Sequence, residues 1–311
     1  MRLALLSVLA LAPATCAPCS PTESATSTPA SSAAARTTPP ASADLGVSSA
    51  AATTGNDVQT LTPGLVVERR RGPPAEGDAG ADATVVFARI DPRRFAPRLL
   101  TAAEQGARRT APAWAKEFGL VAVINASMYA PDGRSVSLLV DDGRANNPRD
   151  DRRFGGVLGL EPRRPERPPV VLLGRGCPGD DVEALRNDYR LVVANYRLLD
   201  CAGRAIAWSD EKSYSAAAIG VDAAGNVVLI HSRAPHRMRD FALWLARPEQ
   251  RIAAAVYVEG GPEASLYAAA GGQVVEAIGS YETGFREDDD NRAFWELPNV
   301  IGFATRTYPT P

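Results

Sequence analysis

The chain predicts an α+β fold in a single domain, with a mixed, largely antiparallel sheet core and a few flanking helices. Three observations carry this. Short runs rich in Val, Ile and Leu recur along the chain, bounded by Gly, Pro, Asn or Asp. Two of the connections have hairpin chemistry: Val221-Asp222-Ala223-Ala224-Gly225-Asn226-Val227, and Leu139-Val140-Asp141-Asp142-Gly143-Arg144 with its Asp-Gly pair. Helical periodicity is sparse and does not alternate regularly with the strands, which argues against a Rossmann fold or a (β/α) barrel.

In chain order, strands are expected at 64–69, 84–91, 120–126, 135–141, 154–160, 170–173, 189–196, 217–222, 226–232, 253–259, 273–277 and 299–305. Met238, Phe241, Ala242 and Leu245 follow the spacing of one buried helical face, with Asp240 in the first turn. A second helix is expected over 101–118, weakened by Gly106 and Pro112, and a turn or two over 180–187.

The N-terminus is organised differently. Residues 1–16 carry one arginine and an apolar run from Leu3 to Ala12 that is short for a membrane span, the pattern of a secretory signal. Ala12-Pro13-Ala14 offers a cleavage site, while Pro13-Ala14-Thr15-Cys16 resembles a bacterial lipoprotein box. Lipidation at Cys16 is the reading adopted, with simple secretion as the alternative. Residues 17–56 are Ser, Thr, Ala and Pro with few charges, a composition that cannot offset ordering entropy and predicts a disordered tether. The folded domain is expected over 57–308.

Composition narrows the function. With 34 basic and 36 acidic side chains the net charge is -2, which gives no support for nucleic-acid binding. Contact with a membrane is expected only through the lipid anchor. In an exported chain Cys177 and Cys201 are expected to form a disulfide. No further thiol or histidine stands at zinc spacing, so no metal and no other cofactor is expected. The acidic run Glu287-Asp288-Asp289-Asp290-Asn291 lacks the alternation of a calcium loop and is expected to be a solvated turn.

Three constellations could carry chemistry. In the first, Asn125 ends the apolar run Val121-Ala122-Val123-Ile124, where its amide is costly to bury without partners. It either caps a turn or faces a ligand. The second is Val227-Val228-Leu229-Ile230-His231-Ser232-Arg233. His231 is either a ligand-facing donor or a hydrogen-bonded structural group, and the planar fork of Arg233 suits a phosphate or a salt bridge. His236, five residues on past Pro235, is wrongly spaced for a helical metal pair.

The third is Ala255-Val256-Tyr257-Val258-Glu259-Gly260-Gly261-Pro262-Glu263-Ala264-Ser265. A carboxylate at the end of a buried strand is half desolvated, and its pKa should rise. The Gly260 and Gly261 N–H groups can form an anion-binding concavity, to which Ser265 could add a hydroxyl.

The order of these blocks resembles the phosphodiester glycosidase family. Asn125-Ala126-Ser127-Met128-Tyr129, Ser137-Leu138-Leu139-Val140, Ala218-Ile219-Gly220-Val221-Asp222 and Glu259-Gly260-Gly261-Pro262-Glu263-Ala264-Ser265 follow one another as the family's blocks do. Asn125, Gly220, Gly260, Gly261 and Ser265 match. Glu259 stands where the family has aspartate, Tyr257 where it has asparagine, Ala216 where it has arginine and Ser127 where it has glycine. The chain thus resembles a divergent member.

The resemblance implies an exported hydrolase that cleaves a sugar-1-phosphodiester to free sugar and phosphomonoester. Glu259 would then be base or nucleophile, with Asn125 on the substrate. Gly260, Gly261, Ser265, Arg233 and His231 would surround the phosphate. The alternative is a non-catalytic envelope lipoprotein of the same fold that binds glycan or cell wall. In both cases the expected partner is carbohydrate or sugar phosphate.

Overall fold

A computed structural model describes residues 57–74, 83–209 and 211–307. The expected signal segment, Cys16 and the tether lie outside the described residues. Sixteen strands are described: β1 Asp57–Thr62, β2 Leu65–Arg71, β3 Thr84–Ile90, β4 Phe95–Thr101, β5 Ala122–Asn125, β6 Leu139–Asp141, β7 Arg144–Asn147, β8 Gly156–Pro162, β9 Val170–Gly174, β10 Tyr189–Arg197, β11 Ser213–Val221, β12 Val227–Arg237, β13 Ala254–Gly260, β14 Ser265–Ala270, β15 Gln273–Ile278 and β16 Asn299–Thr305. Four helices join them: α1 Ala102–Gln105, α2 Ala111–Phe118, α3 Val182–Asp188 and α4 Met238–Leu245.

The strands form two sheets. The larger runs β1-β2-β3-β12-β11-β13-β10-β6-β7, with β8 also on β10 and β9 beyond it. The smaller runs β15-β14-β5-β16-β4. Every pairing between these strands is antiparallel. The α+β expectation holds in its antiparallel character, and the parallel share implied by a mixed sheet is absent among the described residues.

The two sheets face each other across one core. Ala217, Ile219, Val256 and Val258 of the larger sheet meet Ile124, Leu266, Ile301 and Phe303 of the smaller. Period-2 alternation sends the neighbouring residues to the outer faces. There Ala216, Ala218, Ala255 and Tyr257 pack under Met238, Phe241, Trp244 and Leu245 of α4. α3 covers the outer face of β8 and β10, and α2 that of the smaller sheet.

Several local expectations are corrected, each for a visible reason. The helix expected over 101–118 is two. Gly106 closes α1 in the left-handed region (φ 82°), and Thr110 with Pro112 starts α2 afresh. Of the strand expected at 135–141 only β6 forms. Ser135 Oγ donates to the Ser137 carbonyl (2.8 Å) and accepts from its N–H (3.2 Å), which bends that stretch out of the ladder. Four strands were not expected. β4 carries Pro97 and is tolerated as the edge of its sheet, β7 is polar, β14 is alanine-rich, and β1 follows directly on the tether. The Asp142-Gly143 hairpin forms as expected, with both residues at positive φ (50° and 82°).

Cys177 and Cys201 are disulfide-bonded, with their Cα atoms 5.6 Å apart, and Arg197 Nη1 lies 2.9 Å from the Cys177 sulfur. The bridge staples the loop before α3 to the turn after β10. Closing a loop of 24 residues' separation stabilises by about 3 kcal/mol in the chain-entropy model. The Cys177→Ser, Cys201→Ser double variant is therefore expected to lose about that much in urea unfolding. A midpoint equal to the parent's would show that the staple contributes nothing.

Candidate active site

Simple alternation along β13 would place Glu259 on the outer face with Ala255 and Tyr257. The register prevents it. Tyr257 lies opposite Ala218, and Glu259 lies opposite Ala217, so Val258 is an extra residue against β11. This β-bulge turns both Val258 and Glu259 inward, onto the face that Ala217 shares. On its other side Ala217 pairs with His231 of β12. A row His231–Ala217–Glu259 therefore crosses three strands at one end of the sandwich, and its ends are about 10 Å apart at two strand spacings.

Two glycines complete the bend after Glu259. A Cβ on Gly260 would lie 2.3 Å from the Tyr257 hydroxyl, and one on Gly261 (φ 63°) would lie 2.4 Å from a carboxylate oxygen of Glu282. Both positions are glycine because other side chains occupy the space. Gly260 N–H donates to Glu259 Oε1 at 3.1 Å, so this part of the expected anion concavity is already turned on the chain's own carboxylate.

Asn125 is engaged by the protein's own backbone. Its Nδ2 donates to the Glu263 carbonyl (3.0 Å), and its Oδ1 accepts from the Ser265 N–H (2.9 Å). The capping alternative is the one observed: Asn125, 1% exposed at the end of β5, clamps the turn that carries Glu263. Ser265 Oγ donates to the same carbonyl at 2.9 Å and is fully buried. His231, also buried, holds the Ala264 carbonyl through Nε2 at 3.1 Å. Burial lowers its pKa to about 4, so the ring is neutral and Nε2 carries the proton. These three residues were expected on the substrate or its phosphate. They instead fix the 263–265 turn from three directions.

Arg233, expected as a phosphate fork or in a salt bridge, is likewise engaged by the chain itself. Its Nε pairs with Asp289 (2.8 Å), Nη1 donates to the Ile278 carbonyl (2.9 Å), and Nη2 donates to the carbonyls of Asp289 (3.1 Å) and Asn291 (2.8 Å). The guanidinium is spent on clamping the loop after β15. Ala216, in the place of the family arginine, sits buried on the outer face beside Tyr257, opposite Gly260.

What gathers around Glu259 is acid. Burial pushes its pKa well up, and the neighbouring Glu263 and Glu282 push it further, against the Gly260 N–H. Glu263 is raised as well, by burial and by Glu282. The phenols of Tyr129 and Tyr257 are also raised, first by burial and then by these carboxylates. Among the described residues neither Glu259 nor Glu263 enters an ion pair. Both keep part of their surface exposed. Burial and like charge thus bias both carboxyls toward the neutral form, Glu259 more strongly than Glu263.

Sequence reasoning missed Glu282, which is brought in by a long loop, and Tyr129, which Arg108 covers at 5.4 Å. It also missed Asn195, whose Nδ2 donates to the Ala126 carbonyl at 3.0 Å on the inner face of β10. The strand pattern could have flagged Asn195, since it breaks the apolar run Leu191-Val192-Val193-Ala194. Two clefts, of about 690 and 340 Å³, flank the β6–β7 hairpin, and Glu259 borders neither. No group of three or more metal-ligating side chains occurs among the described residues.

Comparison with known proteins agrees with this architecture. The catalytic domain of zebrafish N-acetylglucosamine-1-phosphodiester alpha-N-acetylglucosaminidase, auto-inhibited by its pro-peptide, superposes with a TM-score of 0.55 at 15% identity, covering 81% of this chain and 88% of that one. A hypothetical protein from Synechocystis gives 0.53 at 15% identity, over 82% of this chain and 64% of that one. At such identities the likeness is one of fold. A search of curated proteins finds no significant match. The sequence profile of the phosphodiester glycosidases matches residues 118–304, from the end of α2 to the last strand and across every residue of the bulge and its turn. This chain belongs to the phosphodiester glycosidase family.

Proposed function

We propose that this chain is an exported hydrolase of sugar-1-phosphodiesters. Water adds at C1, the C1–O bond breaks, and the products are a free sugar and a phosphomonoester. One observation carries the reading: the bulge at Val258 turns Glu259, whose pKa burial and like charge raise, inward beside a second carboxyl, Glu263.

The charge state sets the roles. An ionised Glu259 would repel a phosphodiester, whereas its neutral acid can donate a hydrogen bond to the phosphate oxygens. It does so where the family arginine is replaced by Ala216 and Arg233 is engaged elsewhere. Glu259 is therefore assigned as proton donor to the departing phosphate, in place of the base or nucleophile expected from sequence. Glu263, less strongly raised, ionises first and takes the second task, either activating water or attacking C1. Gly261, buried in the turn between the two acids, is the remaining backbone candidate for the anion.

Export rests on the N-terminal segment and the disulfide, and the mature protein is expected to carry lipid on Cys16. A mass of the mature N-terminus that starts before Cys16, or lacks the lipid increment, would remove the anchor.

The test is a panel of sugar-1-phosphodiesters, including that of N-acetylglucosamine, with free sugar and bound ligand both measured between about pH 4 and 8. Turnover is expected at the acid end, falling as the pH rises through the raised pKa of Glu259. Binding without release of sugar at any pH would instead establish the non-catalytic glycan-binding alternative.

A further inference from the structure

The loop between β15 and β16, residues 279–298, closes the end of the sandwich at which Glu259 and Asn125 stand. β15 leaves it from Ile278, paired with Ser265, and β16 re-enters at Asn299 and Val300, the latter paired with Asn125. The same loop brings Glu282 against Gly261. It also holds two aromatic residues with no place in any core: Phe285, 62% exposed, and the half-buried Trp295, their rings 6.2 Å apart and 78° from parallel.

Slack in the loop does not explain this exposure. Ser215 Oγ accepts from the N–H groups of Ser280 (2.9 Å) and Tyr281 (3.2 Å), and Thr283 N–H donates to the Ser213 carbonyl (3.0 Å). Asn291 Nδ2 donates to the Gly279 carbonyl (2.7 Å), and Arg233 ties down both flanks. A tethered loop that holds one ring in water beside a second, half-buried one offers a small apolar surface that a ligand could cover.

The surroundings say what. The loop carries Glu282, Glu287, Asp288, Asp289, Asp290 and Glu296 against only Arg286 and Arg292. Arg286 is paired with Asp288 and Asp290. An anionic polymer or membrane is disfavoured there. Two rings offer about 150–250 Å² each, far short of the 1,200 Å² or so of a stable protein interface. What fits is one uncharged ring with a polarised C–H face, which the negative face of an aromatic attracts.

We infer that Phe285 and Trp295 form a stacking rim for a pyranose ring of the substrate. The inference rests on the reading of the site as a glycosidase and names the part of the ligand that this lip selects.

The test separates the rim from the chemistry. Uncharged methyl α-glycosides of glucose and N-acetylglucosamine, and the N-acetylglucosamine phosphodiester, are titrated into the Glu259→Gln protein with tryptophan emission and calorimetry as readouts. Turnover cannot interfere, and a wrong role for Glu259 leaves the binding result readable. Phe285→Ala or Trp295→Ala in that background is expected to weaken at least one of these ligands about tenfold or more. Trp295→Phe, read in a Trp208→Phe background because Trp208 is also half-buried and lies 5.9 Å from Tyr257, should retain affinity but lose the ligand-induced change in emission, since Trp114 and Trp244 are buried. Leu243→Ala, an exposed apolar residue on α4, is the control and should change nothing. Affinities within twofold of the parent in both alanine variants would overturn the rim, as would the absence of binding by every ligand.

Discussion

Replacing Glu259 by glutamine is expected to lower kcat on a sugar-1-phosphodiester by about 10²–10⁴-fold, the usual worth of a positioned acid or base. The substitution keeps shape and the acceptor for the Gly260 N–H but removes the transferable proton. KM should change little, because a neutral amide replaces an already neutral acid. The pH profile is the sharper readout. In the parent, activity should fall as pH rises through the raised pKa of Glu259; in the variant, the residual rate should lose that limb.

Stability should move the other way. A carboxyl with a folded pKa raised above its unfolded value is neutral in both states at low pH. Above the unfolded value the unfolded chain releases its proton while the folded one holds it. The native state then loses about 1.4 kcal/mol for each unit of the shift, until pH reaches the folded pKa. Glu259→Gln removes that penalty, so the variant should be the more stable protein near neutral pH and closer to the parent at about pH 4. A variant with turnover within a few-fold of the parent's would sink the assignment of Glu259. One that is less stable at neutral pH would show that its carboxyl is not held protonated.

That coupling of lost stability to gained activity is the mark of a site built against local preference, and it explains what could be read without coordinates. The strands were legible because burial on both sheet faces writes dense Val, Ile and Leu runs. β16 appears as expected at 299–305, and α4 follows from Met238, Phe241, Ala242 and Leu245. β14 was not legible because Ala268, Ala269 and Ala270 carry no strand preference and are recruited by pairing with β5 and β15. At the site, Glu259 before two glycines was visible as a desolvated acid. Its direction was not. A single-residue register shift against β11 decides which face it joins, and no local pattern records the register of a partner strand. The residues found on backbone instead of open to a ligand share one cause. Asn125, His231, Ser265 and Arg233 are polar groups in apolar surroundings, and such groups either meet a ligand or satisfy buried backbone. The backbone that needed them, from 263 to 265 and from 278 to 291, lies far away in sequence.

Asn125→Ala should therefore act as a structural lesion with a catalytic consequence. It removes a partner from two buried backbone groups at once, the Ser265 N–H and the Glu263 carbonyl. At about 1–3 kcal/mol for each unsatisfied group, the expected loss is about 2–6 kcal/mol. Ser265 Oγ still reaches the Glu263 carbonyl, which favours the lower half of that range. Ser265→Ala alone should cost only about 1 kcal/mol, because Asn125 still serves the same carbonyl. The two substitutions together should cost more than the sum, since each is the other's backup. Asn125→Asp should be worse than its size suggests. It keeps the acceptor for Ser265 but loses the donor to Glu263, and adds a fourth carboxylate beside Glu259, Glu263 and Glu282. Because the 263–265 turn sets where Glu263 stands relative to Glu259, the rate of Asn125→Ala should fall about 10–100-fold through kcat, with a displaced pH profile. A residue that touched substrate would instead raise KM and leave the urea midpoint alone. That second pattern would return Asn125 to the ligand and refute the clamp.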